Sequence, residues 1–290
     1  MNRRPRWQRV GHAGLLLVAS VYCLFPIYFM LVQSLKTAQE DVFGNPWIVT
    51  RPTLENFEEL FERKGEARNF VGRTLRRDYP FFVWLENTLV VFAGSVAITL
   101  LAGVLAAYAL GRLQPPGFRW WRRAMLATYV VPHTILFVPL YQVVIRLGLD
   151  DNLLVLLLVY PTMALPFCVW ILSAYFQHLP REIEESALVE GASRATAFYR
   201  IVLPMSRPVL VAAGIFTLGT IASDFTLASV FLLSAHNQTV PAGLGTMEVA
   251  LDELLAVAGI NLMAIPVVVL CALFARGYVR GLTAAMVEGS

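Results

Sequence analysis

The chain has 290 residues, of which 57% are hydrophobic and only 15% charged, with a formal net charge of +3. A soluble domain carries about a quarter charged residues. Here the deficit is concentrated in long charge-free stretches, which excludes an ordinary water-soluble globular protein and points to a polytopic membrane protein. Mean hydropathy, at +0.63, agrees.

The N-terminal tail, residues 1–12, carries Arg3, Arg4, Arg6 and Arg9 and no acid. A secretory signal peptide starts in the same way. The apolar run Ala13–Val32 is too long for a signal core, however, and Gln33, Ser34 and Lys36 follow it in place of a small-residue cleavage site, so it reads as a retained first span. Five more segments are long enough to cross a hydrocarbon core of about 30 Å as helices: Thr88–Leu110, Ala124–Ile145, Leu153–Phe176, Val209–Leu233 and Leu254–Ala275. Their apolar character is continuous rather than alternating, which fits helices and not barrel strands. The expected fold is therefore an all-α integral membrane protein with six transmembrane helices.

Short loops orient the spans. Arg112, Arg119, Arg122 and Arg123 lie between the second and third, and Arg276 and Arg280 stand against Glu288 after the sixth. The alternate loops differ: Asp150 and Asp151 lie between the third and fourth spans, and Glu248, Asp252 and Glu253, with no basic residue, between the fifth and sixth. An excess of arginine marks the cytoplasmic side, so both termini are expected in the cytoplasm. Residues 35–80 form a long external loop in which acids and bases balance. Its charged Glu58–Arg77 part fits an amphipathic helical insert or a solvated loop equally, and no separate folded domain is expected there. Residues 13–290 thus read as one membrane domain.

Pro26, Pro132, Pro139, Pro161, Pro166 and Pro266 fall inside the expected spans, where proline frees a carbonyl and bends the helix. Cys23, Cys168 and Cys271 sit in apolar stretches and read as small buried hydrophobes. The four histidines are scattered, and no metal-ligand spacing or internal repeat is evident.

The cytoplasmic loop at residues 178–207 is unlike the others. Pro180 suits a helix start, and Glu182, Glu184 and Glu185 suit its positive end. Ile183, Ala187 and Glu190 share a face at helical spacing. Gly191 ends the helix, and a second one is expected from Ser193 to Val202, stopping near Pro204. Glu185-Ser186-Ala187, then Gly191, then Ile201, Leu203 and Pro204 resembles the EAA motif of ATP-binding-cassette importer permeases. That family has Glu-Ala-Ala, three residues, Gly, nine residues, and Ile-any-Leu-Pro. Every spacing is kept, and Ser186 replaces the second alanine.

The resemblance extends over nearly the whole chain, toward the second permease of carbohydrate-uptake systems of the maltose and glycerol-phosphate type. It is carried by Pro26-Ile27-Tyr28, Ser34-Leu35-Lys36, Pro52-Thr53-Leu54-Glu55-Asn56-Phe57, Asn87-Thr88-Leu89-Val90, Leu105 to Arg112, and Arg280-Gly281-Leu282-Thr283-Ala284. Glu62–Pro80 stands as an insertion relative to that pattern. Ala222-Ser223-Asp224 departs from the Trp-Asn that usually precedes the acid.

The resemblance implies a type I importer permease fold in a bacterial inner membrane. It implies four partner subunits beside the lipid: a second permease, two nucleotide-binding ATPases and an external solute-binding protein. ATP and Mg would be bound by the ATPases, since no phosphate-cradling Gly-rich loop with a following Lys occurs here. No nucleic acid is expected, nor any cofactor, metal or catalytic residue in this chain. Glu182, Glu185, Ser186, Ala187, Glu190, Gly191, Ile201, Leu203 and Pro204 would form the ATPase-coupling surface, its small residues allowing close approach.

Asn87, Tyr141, Gln142, Asp224 and Asn261 are candidates for the translocation path. Asp224 is the one acid within a span, where an isolated charge costs at least about 2.5 kcal/mol. It fits a path residue or a hydrogen-bonded packing residue helped by Ser223 and Thr226. Amides and tyrosines suit a hydroxylated solute, and they equally join helices. Pro241 and Gly243, in Thr239–Gly245, resemble the loop that faces the binding protein; a plain turn is the alternative. The expected cargo is a sugar or related polar solute, with a polyol, a glycerol phosphodiester or another small polar molecule open. A stand-alone secondary transporter would be expected to show inverted repeats and midplane coupling charges.

Overall fold

Long charge-free runs become long helices. The computed structural model describes residues 6–62, 65–68, 74–77, 80–128, 133–247 and 249–288. Among the described residues four helices are long and apolar enough to cross a membrane: Gly11–Ser34, Phe81–Leu113, Leu153–His178 and Glu253–Ala272. They belong to α1 (Arg6–Ser34), α4 (Phe81–Tyr108, continued by a π turn at Ala109–Leu113), α7 (Leu153–His178) and α14 (Val249–Glu288). These match the first, second, fourth and sixth expected spans, and they continue through Pro26, Pro161, Pro166 and Pro266.

The third expected span is described in part and the fifth differs. Within Ala124–Ile145 the described residues belong to α5 (Phe118–Ala127) and α6 (His133–Arg146), and residues 129–132, Pro132 among them, lie outside the described residues. Val209–Leu233 divides at Ser223 and Asp224 into α11 (Arg207–Ala222) and α12 (Thr226–Phe231). The Ser223 amide bonds to the Gly219 carbonyl at 3.2 Å and closes α11. The Asp224 carboxylate accepts from the Leu227 and Ala228 amides at 3.4 and 3.2 Å and opens α12, as a cap does. Residues Arg194–Met205 and α11 form a pair bent by 72°, which supplies a fifth crossing if it is one broken span.

Residues Met1–Phe81 with Leu244–Ala264 form one compact unit, and Phe82–Gly243 with Ile265–Ser290 a second. In the first unit the segment after α1 caps it. Asn56 donates to the Ser34 and Lys36 carbonyls at 2.9 and 2.8 Å, and the Thr53 amide donates to Leu35 at 2.9 Å. The last carbonyls of a helix have no partner within it, so this is the physical content of the Pro52–Phe57 motif. Helix α2 (Ala38–Phe43) follows its N-cap Thr37. Glu40 accepts from the Thr50 amide at 2.5 Å and hydroxyl at 2.7 Å, which hold its carboxyl below the usual range.

Helix α3 (Glu55–Glu62) is amphipathic, with Leu60 fully buried. Among its described residues, the insertion beyond it forms two short strands, not the helix or loop expected there. Strands β1 (Gly65–Arg68) and β2 (Thr74–Arg77) pair antiparallel, Gly65 opposite Arg77, starting at residues with low helix preference. Residues 63–64, 69–73 and 78–79 of the insertion, 1–5 of the tail, and Glu248 lie outside the described residues.

In the second unit α7 is central. Val104, Ala107, Leu110, Cys168, Leu172, Phe176, Phe198, Val202 and Ala213 form its buried core. Phe167 stacks on Phe216 at 3.9 Å. Cys168 meets the reading as a buried hydrophobe, with Sγ 3.3 Å from the Thr217 hydroxyl. Cys23 does not: it is exposed, because α1 is bare on nearly all sides, and Cys271 is half-buried. A helix that is apolar all round and uncovered needs lipid or another helix beside it.

Candidate functional site

The loop between α7 and α11 folds as two helical pieces around a glycine. Helix α8 (Arg181–Val189) starts after Pro180, with Glu182 and Glu184 in its first turn, where the helix dipole favours acids. Gly191 ends it at φ +91°, a left-handed conformation that side chains resist. The Gly191 amide bonds to Leu188 at 3.1 Å and the Ala192 amide to Ala187 at 2.9 Å, the paired bonds of a glycine-terminated helix.

The second piece starts at Ser193, whose hydroxyl accepts from the Thr196 amide at 3.2 Å. It runs through α9 (Arg194–Ala197), a π turn at Phe198–Val202, and α10 (Leu203–Met205). It therefore ends at Met205, next to the expected stop at Pro204. The Leu203 amide bonds five residues back to Phe198, and Pro204, with no N–H, follows directly on that turn.

Glu182, Glu185, Ser186, Glu190, Gly191 and Pro204 are exposed; Ala187, Ile201 and Leu203 are half-buried. On the shared face through Ile183, Ala187 and Glu190, Ile183 and Glu190 are exposed and Ala187 is half-buried. The packed face runs through Glu184, Ala187 and Leu188. Glu184 is buried and hydrogen-bonded from the end of the α4 span. Tyr108 donates its hydroxyl to Oε1 at 2.5 Å, and Arg112 donates Nε to Oε2 at 2.9 Å.

Both side chains of that ion pair are enclosed, at 5% and 11% exposure. Arg112 also donates to the Leu179 and Pro180 carbonyls at 2.8 and 3.0 Å, beyond the end of α7. Gly111 sets this geometry: a Cβ there would stand 2.7 Å from the Ser173 carbonyl oxygen and 3.1 Å from the Phe176 Cβ. A cleft of about 190 Å³ opens alongside, lined by Arg112, Arg181, Glu184, Glu185, Leu188 and Arg194 among others. Glu184 and Arg112 were not among the candidates read from the sequence; Tyr108 was one of the tyrosines that suit a hydroxylated solute, and its hydroxyl is engaged by Glu184 instead. The signal that could have found Glu184 was its i, i+3, i+4 spacing with Ala187 and Leu188.

The remaining candidates are not brought together at one place. Asn87 uses its amide to hold the His236 and Gln238 carbonyls, both at 2.9 Å. Tyr141 stacks on Phe231 at 6.1 Å, and Gln142 is exposed. Asp224 accepts from the Tyr160 hydroxyl at 2.9 Å besides capping α12; Ser223 and Thr226 bond to other groups. Asn261 donates to the Met30 carbonyl at 3.0 Å and joins α14 to α1.

Gly243 lies in α13 (Val240–Gly245) and is buried, its missing Cβ position only 2.3 Å from the Trp84 ring. Pro241 is half-buried. The preceding loop is pinned twice. Trp84 donates to the Ala235 carbonyl at 2.6 Å, and the Val240 amide to the Thr88 hydroxyl at 2.8 Å. On its other side Asp151 accepts from the Leu233 and Ser234 amides at 2.9 Å and from the Ser234 hydroxyl. Burial raises the Asp151 carboxyl, but the bonds from Ser234, Leu233 and Asn237 outweigh it and hold the group below its usual range.

Comparison with known proteins extends these observations. The family model described as binding-protein-dependent transport system inner membrane component matches residues 99–282. The chain is 31% identical over 284 residues to the inner membrane ABC transporter permease protein YcjP of Escherichia coli, covering 97% of each. It is 31% identical to the sulfoquinovosyl glycerol transport system permease protein SmoH of Agrobacterium fabrum, covering 92% of this chain and 89% of that one. It is 29% identical to the trehalose/maltose transport system permease protein MalG of Thermococcus litoralis, covering 95% of both. The fold matches a chain in the crystal structure of a bacterial ABC transporter that imports alginate, with TM-score 0.73, 17% identity, and coverage of 95% and 99%.

Proposed function

This chain belongs to the family of binding-protein-dependent transport system inner membrane components, and on that premise we propose that it forms half of an importer's path for a sugar or related polar solute. It is a multi-pass inner-membrane transport permease, not an enzyme. In this reading six helices cross the membrane, with both termini and α8 in the cytoplasm. A second permease completes the path, an external binding protein delivers the solute, and two ATPase subunits bind ATP and Mg. The sugar class rests on the relatives named for trehalose/maltose and sulfoquinovosyl glycerol transport.

The observation that carries the coupling role is the shape of α8. Glu185 and Ser186 face outward, Ala187 is half-covered, and Gly191 turns the chain with no atom within 4 Å of its missing Cβ. Small residues beside open space permit close docking by a partner, and Glu185 offers a charge for pairing. ATP-driven closure of the ATPase pair would move α8, and the spans would reopen outward.

The test substitutes Gly191→Leu and Gly191→Asn in the four-subunit complex in lipid. Asparagine tolerates φ +91° and is small, so most transport should remain. Leucine fills the docking space, and solute uptake should fall about tenfold or more, within the range of a coupling free energy. Unchanged uptake together with unchanged ATPase stimulation in Gly191→Leu would sink the coupling role.

A further inference from the structure

We propose that Arg112, with Tyr108, is a positioning clamp that fastens α8 to the cytoplasmic end of the α4 span, so that a displacement of α8 reaches the membrane helices through this contact. The inference rests on the reading of α8 as the ATPase-docking helix and adds the route by which its motion leaves it.

Arg112 bonds to three groups on consecutive parts of one path. Its Nε holds Glu184 in the first turn of α8, and its two terminal nitrogens hold the Leu179 and Pro180 carbonyls that connect α7 to α8. A planar guanidinium reaches three acceptors at once; a lysine ammonium on a flexible stem does not reproduce that fork. Tyr108 adds the fourth bond, to the other oxygen of Glu184. Both Glu184 oxygens are thereby used, so the carboxylate cannot swing without leaving enclosed charge unpaired.

The clamp stands on a rigid base. Gly111 lets the backbone press on Ser173 and Phe176 of α7, and the Tyr108 ring packs on Phe176 at 6.2 Å and on Phe198 at 4.6 Å. Phe198 belongs to the π turn on the far side of Gly191. The same two side chains therefore touch the segments before, within and after α8. A π turn also lies at the clamp itself, Ala109–Leu113. Such turns are frequent at functional sites.

Chain connectivity alone would pass the motion of α8 to α7 and α11, the helices it joins. The clamp adds α4, which is 72 to 76 residues away in sequence.

The experiment uses the assembled complex in nanodiscs with binding protein and a transported sugar, and reads solute moved per ATP hydrolysed. Variants are Arg112→Gln, Arg112→Lys, Tyr108→Phe and the charge exchange Arg112→Glu with Glu184→Arg. Copurification of the ATPase is measured first in the unsubstituted complex; its absence there would overturn the docking role of α8, not the clamp. With docking intact, Arg112→Gln should retain the ATPase but move about tenfold less solute per ATP.

Arg112→Lys should recover little of that loss, and the charge exchange part of it. If Arg112→Gln fails to assemble, Tyr108→Phe decides, since it deletes one oxygen and keeps the ring packing. It should lower the ratio about threefold with assembly unchanged. An unaltered ratio in Tyr108→Phe, and in Arg112→Gln where that assembles, would overturn the proposal. A loss of expression or assembly that leaves the ratio unchanged would mark the clamp as structural only.

Discussion

Gly111→Ala is the sharpest test of how α4 and α7 fit together. The added Cβ would stand 2.7 Å from the Ser173 carbonyl oxygen, 3.1 Å from the Phe176 Cβ and 3.3 Å from the Ser173 Cα. Two of these neighbours are backbone of a packed helix, and the third is bound directly to one. None is the end of a flexible side chain, so relief requires the helices to part by about half an ångström or more. Overpacking of this kind costs about 1–3 kcal/mol.

At roughly 2–4 °C per kcal/mol for a chain of this size, the midpoint of thermal unfolding should fall by about 5 °C. The matched control is Gly219→Ala in α11, where no atom lies within 4 Å of the added carbon. There the gain in helix preference of up to about 1 kcal/mol should leave stability unchanged or higher. The assay is thermal unfolding of the detergent-solubilised chain followed by tryptophan fluorescence and by loss of the monodisperse peak. Equal midpoints for the two variants would refute the claimed contact.

Asn87→Ala leaves the His236 and Gln238 carbonyls without their donor, at a cost of about 1–3 kcal/mol. Limited proteolysis should then cut at residues 235–239 much faster than in the unsubstituted chain, and unchanged cutting would count against the pinned loop. The Asp151 carboxyl is held below its ordinary value of 3.8, so its contribution is present above that value and is lost as pH falls through the lowered one. Amide exchange at Leu233 and Ser234, corrected for intrinsic rates, should rise in that acid window, and Asp151→Asn should exchange faster at neutral pH without the acid step.

What could be read from the sequence was what is local. Charge-free length marked α1, α4, α7 and α14, because a helix in lipid satisfies its own backbone and needs only apolar side chains. Gly191 was legible as a turn because the glycine is needed for its own backbone angle. The break at Asp224 was written in the sequence as a capping acid before Thr226-Leu227-Ala228, but the apolar residues on both sides hid it. The strand pair 65–68 and 74–77 followed from nothing in the hydropathy pattern, since a charged stretch shows no period there. For Glu184 the spacing with Ala187 and Leu188 reports a packed face but not its partners, which are 72 and 76 positions earlier, and no local pattern reports a partner that far away.

Gly243 and Gly111 were likewise visible as glycines but not as contacts. Gly243 resembled part of an exposed loop, whereas its place against Trp84 makes it a packing residue that positions Pro241 and the loop before it.

The polar contacts share one logic. In a chain this apolar, side chains along the spans carry little positional information, because lipid and leucine offer nearly the same environment. The unsatisfied groups lie at helix ends, where the last carbonyls have no partner of their own. Asn56 answers those of α1, Arg112 answers the Leu179 and Pro180 carbonyls after α7, and Asn87 answers the carbonyls ahead of α13. Each donor lies outside the helix it serves, so each bond joins two segments instead of closing one. The few polar residues that the composition allows are thus the ones that fix how the segments connect. Of these three, Arg112 alone also pairs with a buried carboxylate, and it does so on the helix that presents the small-residue surface. A displacement of that helix must therefore break this pair or carry the α4 span with it.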